Sequence, residues 1–270
     1  MKLSEPRIGA VNSLRQSWSI QRRVIWALVL REMLTRYGRH NIGFLWLFVE
    51  PMLFTLGVTA LWTATKSVHG SDLPIVAFAI TGYSSVLLWR NMPGRCIGAL
   101  EPNLSLLYHR NVRPIDLYFS RLLLEGAGAS MSFVFLVIFF GFLGDLQMPE
   151  DVLQIAWGWA MLAWFGAGLA LFLGSLSEVS ETVEKLWGPS SYLLFPLSGA
   201  AFLVDSLPKV AQDVVLWLPM VHGVEYLREG YFGSRVIAHY DMSYMALCNV
   251  VLTILGLAQV RKISRTVLPE

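Results

Sequence analysis

The sequence predicts an all-α polytopic membrane protein of six transmembrane helices, and three observations predict it. Of 270 residues, 55% are hydrophobic and 15% charged, whereas soluble domains carry about 25% charged residues. Six apolar segments approach or exceed the roughly 20 residues needed to cross hydrocarbon. Lysine and arginine, finally, collect on one side of the topology these segments define.

In chain order the segments are Ile42–Thr65, Leu73–Trp89, Leu117–Leu143, Val152–Leu176, Leu186–Val204 and Met242–Val260. Residues 1–41 form an N-terminal segment, 42–260 a six-span domain and 261–270 a tail. Six spans place both termini on one side. That side carries 17 Lys and Arg, the other only Lys66, Lys209, Arg228 and Arg235. Short basic loops stay in the cytoplasm, so both termini are expected there. Eight basic residues and the lack of an uninterrupted apolar core of the right kind in residues 1–41 argue against a cleaved signal peptide.

Two segments are neither loops nor spans. From Leu30 to Arg39, Leu30, Met33, Leu34 and Tyr37 recur at helical spacing, with Arg31, Glu32, Thr35, Arg36 and Arg39 opposite. This pattern predicts an interfacial amphipathic helix. Within 205–241, the stretch Val210–Phe232 contains an apolar run too short to span and ending near Pro219. It predicts a short re-entrant hairpin sheltered by the bundle.

Some chemistries are excluded. No lysine follows a glycine, so the phosphate-cradling Gly-Lys-Ser/Thr loop is missing. Any ATP-driven work therefore needs a motor on another polypeptide. The five histidines lie in loops or at span edges, away from any intramembrane serine–histidine pair, and the acids within spans are Glu50 and Glu125. The net charge of +2 suggests no nucleic-acid partner. Cys96 and Cys248 match neither a metal nor a redox spacing.

Charges in spans are costly and default to functional candidates. Arg121 and Glu125, four residues apart, are expected to neutralise each other along one helix. Glu50 precedes Pro51 and requires a donor from a neighbouring helix. Arg90, Arg95 and Arg121 gather at the expected cytoplasmic ends of spans two and three and are candidate contacts for an anionic substrate. Many of the ten tryptophans, among them Trp62, Trp89, Trp157 and Trp187, sit near span ends, as in an interfacial belt.

The stretch from Leu30 to Tyr37 (LREMLTRY), followed by Leu45-Trp46 and Glu50-Pro51, resembles the start of ABC-2 type export permeases. Residues 101–116 (EPNLSLLYHRNVRPID) and 218–233 (LPMVHGVEYLREGYFG) are similar to the KpsM-like, capsular-polysaccharide branch of that superfamily. The resemblance covers essentially the whole chain. It implies the permease subunit of an exporter moving lipid-linked acidic capsular polysaccharide across the bacterial inner membrane, with O-antigen or teichoic-acid exporters as close siblings. An uncoupled channel or scaffold is the alternative of a different class.

The implied assembly is a homodimer bound to two copies of a separate ATPase, which carries the ATP and magnesium, with periplasmic adaptor and outer-membrane partners. By position, the resemblance makes Arg31, Arg36 and Arg39, with Leu106, Leu107, Tyr108, His109 and Arg110, the ATPase-coupling residues. Glu178, Glu181, Glu184 and Lys185 form a further turn on that side. The hairpin becomes a periplasmic gate, with Leu216, Trp217, Leu218 and Met220 as its plug. His222, Glu225 and Arg228 form a charge-paired cluster on the same segment, and Gly223, Gly230 and Gly233 are its swivel points. No residue is assigned to catalysis or to a metal.

Overall fold

A computed structural model of the chain describes residues 10–37, 43–65, 73–108 and 112–267. It is a helical bundle. The elements are α1 (Ala10–Tyr37), α2 (Gly43–Thr65), α3 (Ile75–Cys96), α4 (Leu104–Leu107), α5 (Pro114–Leu143), α6 (Val152–Ser177), α7 (Glu181–Leu197), α8 (Lys209–Val215), α9 (Pro219–Phe232) and α10 (Met242–Val267). Among the described residues, α5, α6 and α10 are long and apolar enough to cross a membrane. The other three expected spans fall on α2, α3 and α7.

Local chemistry sets the ends. Pro114 opens α5, where its missing N–H costs nothing, and the Asp116 carboxylate accepts the Arg113 N–H at 2.9 Å. Asp151 caps α6 by accepting the Gln154 N–H at 2.9 Å. Two boundaries differ from expectation. The second span continues past Trp89 to Cys96, so Arg90 and Arg95 lie on a helix rather than in a loop. The fifth is displaced, because Glu181 and Glu184 occupy the first turn of α7 and the chain turns at Gly199, φ +83°. A helix of 17 residues is about 26 Å long, slightly short of the hydrocarbon core.

α6 is the central post, packed by α3, α9 and α10. Its contact with α3 is close because of Gly166, where a Cβ would lie 2.8 Å from the Trp89 Cα and 2.9 Å from the Met92 sulfur. Small residues let helix backbones approach in this way. The core around this contact includes Trp89, Phe165, Leu162, Leu136 and Tyr118.

α1 differs most from its expectation. It starts 20 residues before Leu30, since no glycine or proline interrupts Ala10–Tyr37. Its apolar side is also split: Met33 packs with Val29, Leu47 and Leu124, whereas Trp26, Leu30 and Leu34 are exposed. The polar ridge of Glu32 and Arg36 turns inward, where α5 offers it charged partners.

Gly166→Val should overpack the α3–α6 contact. A loss of about 1–3 kcal/mol is expected, seen as a lower melting temperature of the detergent-purified chain than for Gly57→Val, whose site has no neighbour within 4 Å.

Candidate functional site

Three constructions hold the candidate side chains, beginning with a polar cavity of about 270 Å³ between α2, α3 and α7. It is lined by Glu50, Arg90, Asn91, Gly94, Arg95, Trp187 and Ser191. Arg90 donates to the Ser191 hydroxyl at 3.4 Å, and its guanidinium lies 4.8 Å from the Tyr192 ring centre and 5.7 Å from that of Phe195. Phe195 continues into an aromatic column: Tyr83 at 5.3 Å, Phe54 at 5.9 Å and, beyond Tyr83, Trp62 at 5.2 Å. Of the three expected substrate-facing arginines, Arg90 and Arg95 meet here. Arg121 does not, because its guanidinium is spent on the Arg95 carbonyl oxygen at 2.5 Å and the Glu32 carboxylate at 3.3 Å. Trp187, Tyr192 and Phe195 are absent from the sequence-derived set. Their spacing of five and three residues does not place them on one helix face, so periodicity carried no signal for them.

The expected Arg121–Glu125 pair does not form. Glu125 is instead bound by Arg36 of α1 and by Arg95 of α3, the latter at 3.2 Å. The reason is geometric: the neighbouring helices bring guanidinium groups to Glu125 from two directions, which one helical turn of α5 cannot match. Glu50 finds its cross-helix donor in Arg95, 3.4 Å away.

The second construction is the segment Gly98–Tyr108. Arg31 donates to the Asn103 side chain at 2.6 Å, tying α1 to it. Ser177 accepts the Gly98 N–H at 3.2 Å and Glu178 the Leu100 N–H at 3.0 Å. Burial raises the Glu178 pKa, and the Leu100 hydrogen bond opposes that rise. Leu107 is buried and Leu106 partly so, which makes them anchors, while Leu104 and Tyr108 project, Tyr108 being 76% exposed. Arg36 is likewise withdrawn from the open surface by its two carboxylates. Arg39, His109 and Arg110 lie outside the described residues.

The third construction is the hairpin of α8 and α9. Arg228 is fully buried, stacks on Phe78 at 3.9 Å, and donates to the carbonyl oxygens of Gly199 (2.5 Å), Ala200 (2.6 Å) and Phe202 (2.6 Å). Gly82 leaves the room for it, since a Cβ there would lie 2.5 Å from an Arg228 nitrogen. Glu225 accepts the N–H groups of Val204 (3.3 Å) and His239 (3.2 Å). The expected charge-paired cluster is thus a correction: Glu225 and Arg228 bind backbone rather than each other, because helix ends and turns nearby present unpaired backbone groups. The plug is corrected too. Met220 is core, Leu216 and Leu218 pack around Val204, Val215 and Val221, and only Trp217, 77% exposed, projects. Gly223 and Gly230 are not swivels, since they sit within α9 against Leu162 and Gln154.

The ABC-2 type transporter family profile matches residues 23–232, a range that contains all three constructions. The chain belongs to this family. The ABC-2 chain is 46% identical to the capsule polysaccharide export inner-membrane protein CtrC of Neisseria meningitidis, over 96% of this chain and 97% of that protein. It is 42% identical to the protein of the same description, BexB, from Haemophilus influenzae, over 97% and 99%. The polysialic acid transport protein KpsM of Escherichia coli is 26% identical over 92% and 96%. This ABC-2 permease is a multi-pass inner-membrane protein, as its relatives' descriptions and its apolar helices agree.

Two outcomes follow for the hairpin. Arg228→Ala strands three buried carbonyls, and each buried acceptor left unsatisfied costs about 1–3 kcal/mol, so folded yield should fall sharply rather than closure merely loosen. His222 lies outside the spanning helices. Its Nδ1 accepts the Asp241 N–H at 2.8 Å, which leaves Nε2–H to donate to the Leu216 carbonyl at 2.8 Å, so the ring is neutral. Burial lowers its pKa. Stability from this group is therefore full above about pH 6.5, the ordinary value, and is lost as pH falls from there toward the folded value. Acidification should lower the melting temperature of wild type more than that of His222→Gln.

Proposed function

We propose that this ABC-2 chain is the permease subunit of an ATP-driven exporter of lipid-linked acidic capsular polysaccharide, working as a homodimer with two copies of a separate ATPase. The observation that carries the reading is the polar cavity, where two guanidinium groups stand beside Trp187 and Tyr192. Guanidinium forks suit carboxylate and phosphate, and aromatic faces offer sugar rings a flat apolar surface. A polymer of acidic sugars needs both. The relatives described as capsule polysaccharide export proteins support this reading, as does KpsM, whose described cargo, polysialic acid, is an acidic polymer.

The α2 and α7 side, which supplies Glu50, Trp187 and Ser191 to the cavity, leaves Trp46, Leu53, Phe54, Leu61, Leu193 and Leu197 exposed. A second copy placed against this side would enclose a path along the Phe54–Tyr83–Phe195 column. The ATPase would rest on the Gly98–Tyr108 segment and the adjoining face of α1, with Leu104 and Tyr108 as contacts and Arg31 holding the two pieces in register. The ATP and magnesium would sit on that partner, and adaptor and outer-membrane partners would receive the product. The hairpin, held by Arg228, would be the outer gate, with Trp217 its protruding residue.

Arg90→Gln removes one cation from the cavity without touching the ion pairs behind it. A charged hydrogen bond is worth about 1.5–3 kcal/mol, so polymer export should fall by about tenfold or more, with insertion and ATPase copurification unchanged. Undiminished export would refute the cavity as the glycan site, and mass spectrometry of the glycolipid accumulating in the null strain distinguishes capsule from O-antigen or teichoic acid.

A further inference from the structure

The polar cavity is joined to α1 by a chain of ion pairs. Arg95, in the cavity wall, is shared: its Nη2 lies 3.4 Å from Glu50 in the same wall, and its Nε 3.2 Å from Glu125 behind it. Glu125 also takes Arg36 of α1. Arg36 holds Glu32 at 3.2 Å, and Glu32 lies 3.3 Å from Arg121, which in turn donates to the Arg95 carbonyl oxygen. Three carboxylates and three guanidinium groups from four helices thus close into one neutral set.

The set has a wet end and a dry end. Side chains of Glu50 and Arg95 are 51% and 35% exposed, whereas those of Glu125, Arg36, Arg121 and Glu32 are 10–15% exposed. Glu125 and Glu50 occupy Nε and Nη2 of Arg95, which is one of the two edges through which guanidinium grips an anion bidentately. An anion that takes this edge displaces both carboxylates. Glu50 can turn to solvent. Glu125 cannot, and it is left with Arg36 as its ion-pair partner, in surroundings where low dielectric makes the imbalance expensive.

We propose that Glu125 is a positioning residue through which an anionic sugar on Arg95 is reported to α1, so that cavity occupancy sets the pose of the helix on which the ATPase rests. The proposal builds on the cavity reading above. Linkage makes the coupling reciprocal: movement of α1 during ATP turnover pulls Glu125 toward or away from Arg95 and changes the hold on the glycan. One set of charges would then both sense cargo and release it.

The test uses the chain with its copurifying ATPase in lipid nanodiscs, oligogalacturonate as the anionic probe and a maltooligosaccharide of equal length as the neutral one. Binding and ATP hydrolysis are read separately. Wild type binds oligogalacturonate and hydrolyses ATP severalfold faster with it, and the neutral probe leaves the rate unchanged. Glu125→Gln binds oligogalacturonate within about threefold of wild type yet shows no acceleration. Glu125→Asp, which keeps the buried charge but loses the reach to both guanidinium groups, behaves alike and guards against a folding defect. Acceleration retained in both variants overturns the proposal, as does binding without acceleration in wild type. Failure of wild type to bind oligogalacturonate overturns the cavity reading itself, and is a different result from binding without signalling.

Discussion

A charge inside an apolar bundle must be met by an opposite charge or by backbone dipoles, because hydrocarbon offers neither. This chain satisfies that demand in two ways at its two ends. Toward the α1 end, guanidinium and carboxylate groups from α1, α2, α3 and α5 neutralise one another. At the hairpin, Arg228 and Glu225 are each met by main-chain groups. The packing follows from these requirements: α1 turns its polar ridge inward, and the α7–α8 connection wraps the Arg228 guanidinium.

The two solutions suit different mechanical roles. Carbonyl oxygens of one short connection form a fixed cradle, so Arg228 sets the position of α9 relative to α3 and α7. Ion pairs between side chains of separate helices can exchange partners, and a neutral set does so without exposing net charge. The Arg228 anchor is therefore a fixed point of the hairpin, and the ion pairs at the α1 end are exchangeable contacts. α6 stands between them, with Gly166 pressed to α3, Gly158 to α9 and Gly168 to α10.

The membership of the ABC-2 family was legible from the order of short motifs, and the helical segments from apolar length alone. The candidate site was half legible. Arg90 and Arg95 were readable as basic residues at a span end; Trp187 and Tyr192 were not, because a tryptophan near a span end looks the same whether it faces lipid or a cavity. Glu125 was misread in its partner, since spacing along one helix reports only neighbours on that helix.

What the sequence determined by itself is what depends on local composition: which stretches are apolar helices, and that no phosphate-binding loop is present. The tertiary structure alone decided everything that depends on which helix lies beside which. It turned the Glu32 and Arg36 ridge of α1 inward, gave Arg228 three carbonyl oxygens instead of Glu225, and buried Met220 while leaving Trp217 outside. The physical reason is that charge pairing and burial are properties of space between elements, and a periodic pattern fixes a residue's face without fixing what that face meets.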